Sequence, residues 1–209
     1  MQNKINIAVL VSGGGTNLQA LIDAQKSGVI QSGEIRLVIS SNSIAYALKR
    51  AEENRIPTAV VTKKECGGTA TMEEKMISLL DEYDIDLIVL AGFMCILSEN
   101  FTKKYERRII NVHPSLIPSF CGEGFYGLKV HEAALQKGVK VTGATVHFVN
   151  EIPDGGEIIM QKAVRVHDGD TPKALQARVM KQAEWIILPK AVEKVSKEMS
   201  ERKQQNEHL

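Results

Sequence analysis

Cysteine is scarce in this chain of 209 residues: three are present, Cys66, Cys95 and Cys121, an odd number with no Cys-x-x-Cys spacing. That excludes a disulfide framework and a zinc knuckle, and it points to a reducing, cytoplasmic setting. The five histidines form no His-Glu-x-x-His or His-x-x-x-His pair, so a metal site has no support in the spacing. Charge of one sign is missing as well. Lys and Arg number 26, Asp and Glu 25, and a net charge of +1 favours neither nucleic acid nor a membrane surface as a partner. The longest apolar runs, such as "LIVLAGFMCIL", fall far short of a membrane-spanning helix. The apolar stretch near the N-terminus is followed by glycines rather than a small-residue cleavage site, which suits a first strand better than a signal peptide. No linker, repeat or low-complexity segment interrupts the chain, so a single domain over 1–209 is expected, with halves 1–112 and 113–209.

What is present is an alternation of continuous apolar runs with amphipathic ones. "INIAVLVS", "EIRLVISS", "TAVVT", "IDLIVLAG" and "RIINV" read as five strands. Between them, "TNLQALIDAQKSG", "IAYALKRAEEN", "TMEEKMISLLDEYD" and "SENFTKKY" read as helices, the last capped by Ser98. Strands apolar on both faces imply a parallel sheet covered by helices, hence an α/β, Rossmann-like, doubly wound first half. The second half differs. "YGLKVHEAALQKG" is helical, and "TGATVHFVNE" alternates as a half-buried antiparallel strand. After the turn "PDGG" comes another strand, "EIIMQKAVRV". A long final helix starts at Thr171–Pro172, with Pro189 placed to kink it and a polar tail from Ser200 expected to fray.

Three segments carry chemistry. "SGGGTN", Ser12–Asn17, joins the first strand to the first helix. It is not a Walker A loop, it misses the third glycine of a dinucleotide fingerprint, and the second strand ends without the acidic residue that holds a ribose. It serves as a tight turn or as a phosphate cradle, and Thr16 and Asn17, able to donate side-chain hydrogen bonds, favour a monophosphate. "NVHPSLIPSF" sets Asn111 and His113 at the end of the fifth strand, where open α/β sheets keep their ligands. With Asp154 of the "PDGG" turn they form a set suited to acid–base work at a carbonyl: an amide donor for an oxyanion, an imidazole acid, and a carboxylate that raises the imidazole pKa. Each is equally at home as a structural residue. "LAGFMCIL" supplies either core or an apolar slot for a flat ligand. The remaining candidates have ordinary readings. His147 is a satisfied, half-buried strand histidine, and His131, His167 and His208 lie on the surface. Trp185 is core, and Lys181 and Glu184 form a surface ion pair at i, i+3.

Together "NIAVLVSGGGTNLQAL", "LAGFM", "INVHPSLIPSF" and "TGATVHFVNEIPDGGEIIMQKAV" resemble the folate-dependent formyltransferases, and among them the phosphoribosylglycinamide formyltransferases, over nearly the whole chain. The resemblance implies transfer of a formyl group from 10-formyltetrahydrofolate, as cosubstrate, to glycinamide ribonucleotide in purine synthesis. It implies no metal or redox cofactor, no nucleic acid, no membrane, and a monomer or homodimer. It also implies roles. Gly15, Thr16 and Asn17 hold the substrate phosphate, and Met94, Cys95, Ile96 and Leu97 line the pterin pocket. Asn111 bonds the formyl oxygen, His113 is the acid, Asp154 supports it, and Glu184 approaches the glycinamide or ribose end. Three departures stand out. Cys95 and Thr69 occupy positions where the family often has basic residues, with Lys63 and Lys64 nearby, and the loop 119–127 is longer than usual. A formyltetrahydrofolate hydrolase shares the core, and so do methionyl-tRNA formyltransferases, whose added tRNA-binding domain is not expected in a chain of this length. A non-catalytic nucleotide-binding module is the rival from outside the enzymes.

Overall fold

The computed structural model describes residues 4–207. Seven strands form one sheet in the order β3-β2-β1-β4-β5-β6-β7. β1 (Ile5–Val11), β2 (Gly33–Ser40), β3 (Thr58–Val60), β4 (Leu87–Leu90) and β5 (Ile109–His113) are parallel; β6 (Val141–Phe148) and β7 (Ile158–Arg165) add antiparallel. This is the α/β architecture expected from the alternation of apolar and amphipathic runs.

The period of two along each strand divides the core. Ile5, Ile7, Val9 and Val11 of β1 face one buried layer, while Ala8 and Leu10 face the other. The first layer packs under α1 (Thr16–Lys26), α2 (Tyr46–Glu53) and the C-terminal helices. The second packs under α4 (Thr69–Glu82) and α5 (Glu99–Lys104), through Met72, Met76, Leu80 and Phe101. Each such side chain contributes about 1.5–3 kcal/mol on burial. A four-residue helix, α3 (Lys63–Cys66), precedes α4 and was not anticipated; Thr62 caps it by accepting from the Glu65 N–H. Ser98 caps α5 as expected, accepting from Phe101 N–H. α6 (Leu128–Lys137) connects β5 to β6. Among the described residues no helix is long and apolar enough to cross a membrane.

The final helix departs from expectation. Thr171 caps α7 (Pro172–Val179), but a π-helical turn, Met180–Glu184, then separates it from α8 (Trp185–Glu207). The break therefore precedes Pro189. Pro189 has no N–H to offer the Trp185 carbonyl, and the wider turn ends at that residue. The tail stays helical from Ser200 through Glu207, while His208 lies outside the described residues.

The order of strands reverses between β1 and β4, which is where open sheets of this kind form a crevice at their C-terminal edge. The β6–β7 connection leaves the sheet opposite Ile110, near the start of β5, and doubles back so that Asp154 lies against His113. Asp154 sits there in the left-handed region at φ 57°, which Asp tolerates better than most residues. Gly156 closes the turn, and a Cβ at that position would overlap the Phe148 carbonyl oxygen. The obstacle is backbone and cannot swing aside. Gly156→Ala is therefore expected to destabilise the fold by about 1–3 kcal/mol, read as a lower urea midpoint at unchanged m-value.

Candidate active site

Asn111 and His113 are two residues apart on β5 and share a face. Pairing with β6 sets His147 opposite Asn111 and Thr145 opposite His113. The loop after β5 is pinned by Thr145, whose Oγ1 donates to Ser115 O (2.7 Å) and accepts from Ile117 N–H (3.1 Å). The Ile117–Pro118 peptide is cis. That loop folds back so that the Phe120 carbonyl accepts from His113 Nε2–H at 2.8 Å. Across from it, Asp154 Oδ2 lies 3.3 Å from His113 Nδ1 and accepts from Gly122 N–H at 2.9 Å. The long 119–127 loop thus reaches both groups through its backbone. Asn111, His113 and Asp154 line one cavity of about 770 Å³.

The electrostatics correct one expectation. Burial pulls the His113 imidazole below its ordinary 6.5, and this outweighs the Asp154 charge and the Phe120 carbonyl, which pull the other way. Asp154 is the reverse case: burial pushes its carboxyl up. The adjoining His147 ring, the Gly122 N–H and the His113 ring nevertheless hold it below the usual range.

Two further histidines differ from their ordinary readings. His147 is fully buried beside the site, its Nε2 3.3 Å from Asn111 Nδ2 and 3.5 Å from Asp154 Oδ1. The only trace of this in the sequence is its position on the strand that pairs with "NVH". His131, expected on the surface, is completely buried on α6 and borders the same cavity. Neither of its ring nitrogens has a hydrogen-bond partner, and burial, reinforced by His113, lowers its pKa to about 4. His167 is exposed, as expected.

The opposite wall comes from the α1 loop and the C-terminal helices. Gly15 starts α1 in the left-handed region at φ 71°, and a Cβ there would stand 2.7 Å from the Ala47 Cβ, so both conformation and packing require glycine. No side chain caps α1, which leaves the first-turn N–H groups free for an anion. The side chains of Thr16 and Asn17 are placed otherwise than the sequence suggested. Thr16 Oγ1 lies 3.8 Å from Met180 Sδ and borders a separate groove with Trp185, itself only partly buried. Asn17 gives its Nδ2–H to Glu184 Oε2 at 2.8 Å, and its buried Oδ1, an acceptor, has no partner. An acceptor does not hold phosphate, so the donors that this loop offers an anion are its backbone N–H groups. Glu184 is no surface ion-pair partner. It is 5% exposed, it lines the cavity, and burial raises its carboxyl pKa against the lowering effect of Asn17.

Met94, Cys95, Ile96 and Leu97 follow β4 and border three contiguous cavities. Met94 and Ile96 are 55% and 71% exposed, an apolar lip on the crevice, whereas Leu90 and Ala91 are core. The Met94 N–H donates to Ser12 Oγ at 2.9 Å, which ties this segment to the α1 loop. The cavity of about 390 Å³ beyond it is bordered by both Thr69 and Lys63. Among the described residues no cluster of His, Cys, Asp or Glu is arranged to hold a metal ion.

The buried His131 sets a pH dependence of stability. Its folded pKa, about 4, lies below the unfolded value of 6.5, so the unfolded chain takes up the proton first as pH falls. The stability held by the neutral ring is complete above pH 6.5 and is lost as pH falls towards 4, amounting to roughly 3 kcal/mol for this one group. His131→Phe is expected to remove that part of the acid loss, read by urea midpoints at pH 7 and pH 4.5. An equal loss in variant and wild type would clear His131.

Comparison with known proteins agrees with this geometry. The formyl transferase family matches residues 5–192. The trifunctional purine biosynthetic protein adenosine-3 of Gallus gallus is 45% identical over 194 residues, which are 93% of this chain but 19% of that protein; the chain spans about a fifth of such relatives. The phosphoribosylglycinamide formyltransferase of Haemophilus influenzae is 42% identical over 183 residues, 88% of this chain and 83% of that one. The crystal structure of glycinamide ribonucleotide transformylase 1 from Symbiobacterium toebii superposes with a TM-score of 0.86 at 37% identity, covering 93% of this chain and 88% of that one. By sequence and by fold, this chain belongs to the formyl transferase family.

Proposed function

We propose that this chain transfers the formyl group of 10-formyltetrahydrofolate to the amine of glycinamide ribonucleotide. The observation that carries the reading is the convergence of Asn111, His113 and Asp154 on one cavity, opposite an uncapped helix start. The names of the relatives support the same substrates.

In this reading the phosphate sits at the backbone N–H groups around Gly15, Thr16 and Asn17. The Asn17–Glu184 pair, which presents oxygen acceptors, faces hydroxyl or amine donors of the same substrate. The pterin lies along Met94, Cys95, Ile96 and Leu97, and Lys63 supplies the positive charge that Thr69 does not. The amine attacks the formyl carbon, and the carbonyl oxygen becomes an oxyanion. Asn111 donates an N–H to it. His113 donates Nε2–H in exchange for the Phe120 carbonyl, and the new negative charge favours the imidazolium that burial alone disfavours. As the intermediate collapses, the bond to the folate nitrogen breaks. The proton lost by the amine passes to that nitrogen through His113 and Asp154. The steps are addition, elimination and proton transfer with no change of oxidation state, so the reading invokes no metal or redox group.

The test is to incubate the protein with formyl donor and to follow deformylated folate with and without glycinamide ribonucleotide. Turnover that depends on the ribonucleotide supports transfer; formate released at the same rate without it makes the chain a hydrolase. Asn111→Ala is expected to lower kcat about a hundredfold or more, the usual cost of one oxyanion donor, with both KM values little changed. A variant within about twofold of wild type, well under 1 kcal/mol, would remove Asn111 from the chemistry.

A further inference from the structure

His147 is buried near the end of β6 and directly faces Asn111. Its Nδ1 lies 2.7 Å from the Phe148 carbonyl oxygen, which only accepts, so the ring carries its hydrogen on Nδ1. In the neutral ring Nε2 is then a lone pair. The two polar atoms beside it are Asn111 Nδ2 at 3.3 Å and Asp154 Oδ1 at 3.5 Å, and only the amide can donate. The alternative is a charged His147 that donates to Asp154. His113 stands against it, because its two nitrogens face the Phe120 carbonyl and the Asp154 carboxylate, both acceptors. A single carboxylate between two buried rings compensates one cation, and its closer approach to His113, 3.3 Å against 3.5 Å to His147, reserves it for the imidazolium that forms on His113 during transfer. The two ends of an Asn side chain have the same shape, so the partner decides which way the amide lies. Turned over, Asn111 would set Oδ1 against the Nε2 lone pair.

We infer that His147 is a positioning residue for formyl transfer: it accepts one Asn111 N–H, locks the orientation of the amide, and leaves the second N–H aimed at the reacting oxygen. This rests on the proposed transfer reaction. It assigns to His147 a task separate from those of the three groups in the cavity. His147 acts through Asn111, so its effect belongs to the transition state, where the oxyanion draws on that N–H, and not to substrate binding.

The test uses His147→Phe, which keeps a ring without an acceptor, and His147→Gln, whose Oε1 accepts from the same direction. His147→Phe is expected to lower kcat about tenfold, the rate equivalent of one good hydrogen bond, with both KM values within about twofold. His147→Gln should recover most of the loss. In an Asn111→Ala background, His147→Phe should cost less than about twofold, because the group it positions is gone. Full multiplication of the two losses, or wild-type kcat in His147→Phe, would overturn the inference. Nitrogen-15 NMR of the imidazoles tests it without turnover and without altering His147. The wild type should show the hydrogen on Nδ1, and the Nε2 resonance should move in Asn111→Ala. A hydrogen on Nε2 would overturn the inference even in a fully active enzyme. A wild type that shows the Nδ1 form but transfers no formyl group would sink the proposed function and leave the Asn111–His147 contact standing.

Discussion

The antiparallel pairing of β5 with β6 is the constraint on which the rest of the site depends. It is the one place where the parallel half of the sheet meets the returning half. Its register sets Asn111 against His147 and His113 against Thr145. A slip of one residue would turn every β6 side chain to the other face, taking His147 from Asn111 and Thr145 from the loop it braces. β6 then leads into the 149–157 connection that carries Asp154, where Gly156 lies against the Phe148 carbonyl. The carboxylate is held there by the left-handed backbone at Asp154 and by the Gly122 N–H that donates to it.

Around that scaffold the electrostatics are set by burial. One carboxylate serves two imidazoles, and a third imidazole, His131, is buried beside them without a partner. Low solvent access disfavours the cation on His131 and His113, and Asp154 with the Phe120 carbonyl offsets only part of that for His113. In the proposed reaction such a ring gains its proton only as negative charge develops next to it. Burial of a polar group without a partner costs stability, and His131 bears that cost at the wall of the cavity, where strain of this kind is often found.

The crevice owes its shape to the reversal of strand order between β1 and β4. The loops leaving these neighbouring strands diverge, one into the uncapped start of α1 and the other into the apolar lip of Met94 and Ile96. Ser12 joins them through the Met94 N–H, which ties the uncapped helix start to the apolar lip. The π-helical turn Met180–Glu184 closes the third side and brings a buried carboxyl to Asn17. A polar, hydrogen-bonded end and an apolar end in one crevice suit two substrates of different character meeting between them.

The sequence by itself determined the sheet, most of the helices, the caps at Ser98 and Thr171, and Asn111 and His113 as polar groups at a strand end. Each of these is written in neighbouring residues, through a period of two or 3.6 and the turn and capping chemistry that punctuates it. The formyltransferase resemblance rested on such contiguous segments as well, and the relatives agree with it. Tertiary structure alone decided what each polar group touches. Asn17 and Glu184 are 167 residues apart, so nothing local says that their side chains commit to each other rather than to a phosphate or to Lys181. His147 and His131 have the sequence surroundings of ordinary strand and helix histidines. Their burial depends on which elements pack over them. The direction of the His113 pKa followed the same rule: the neighbouring carboxylate was legible as a type of residue, but the desolvation that outweighs it is a property of the packed cavity.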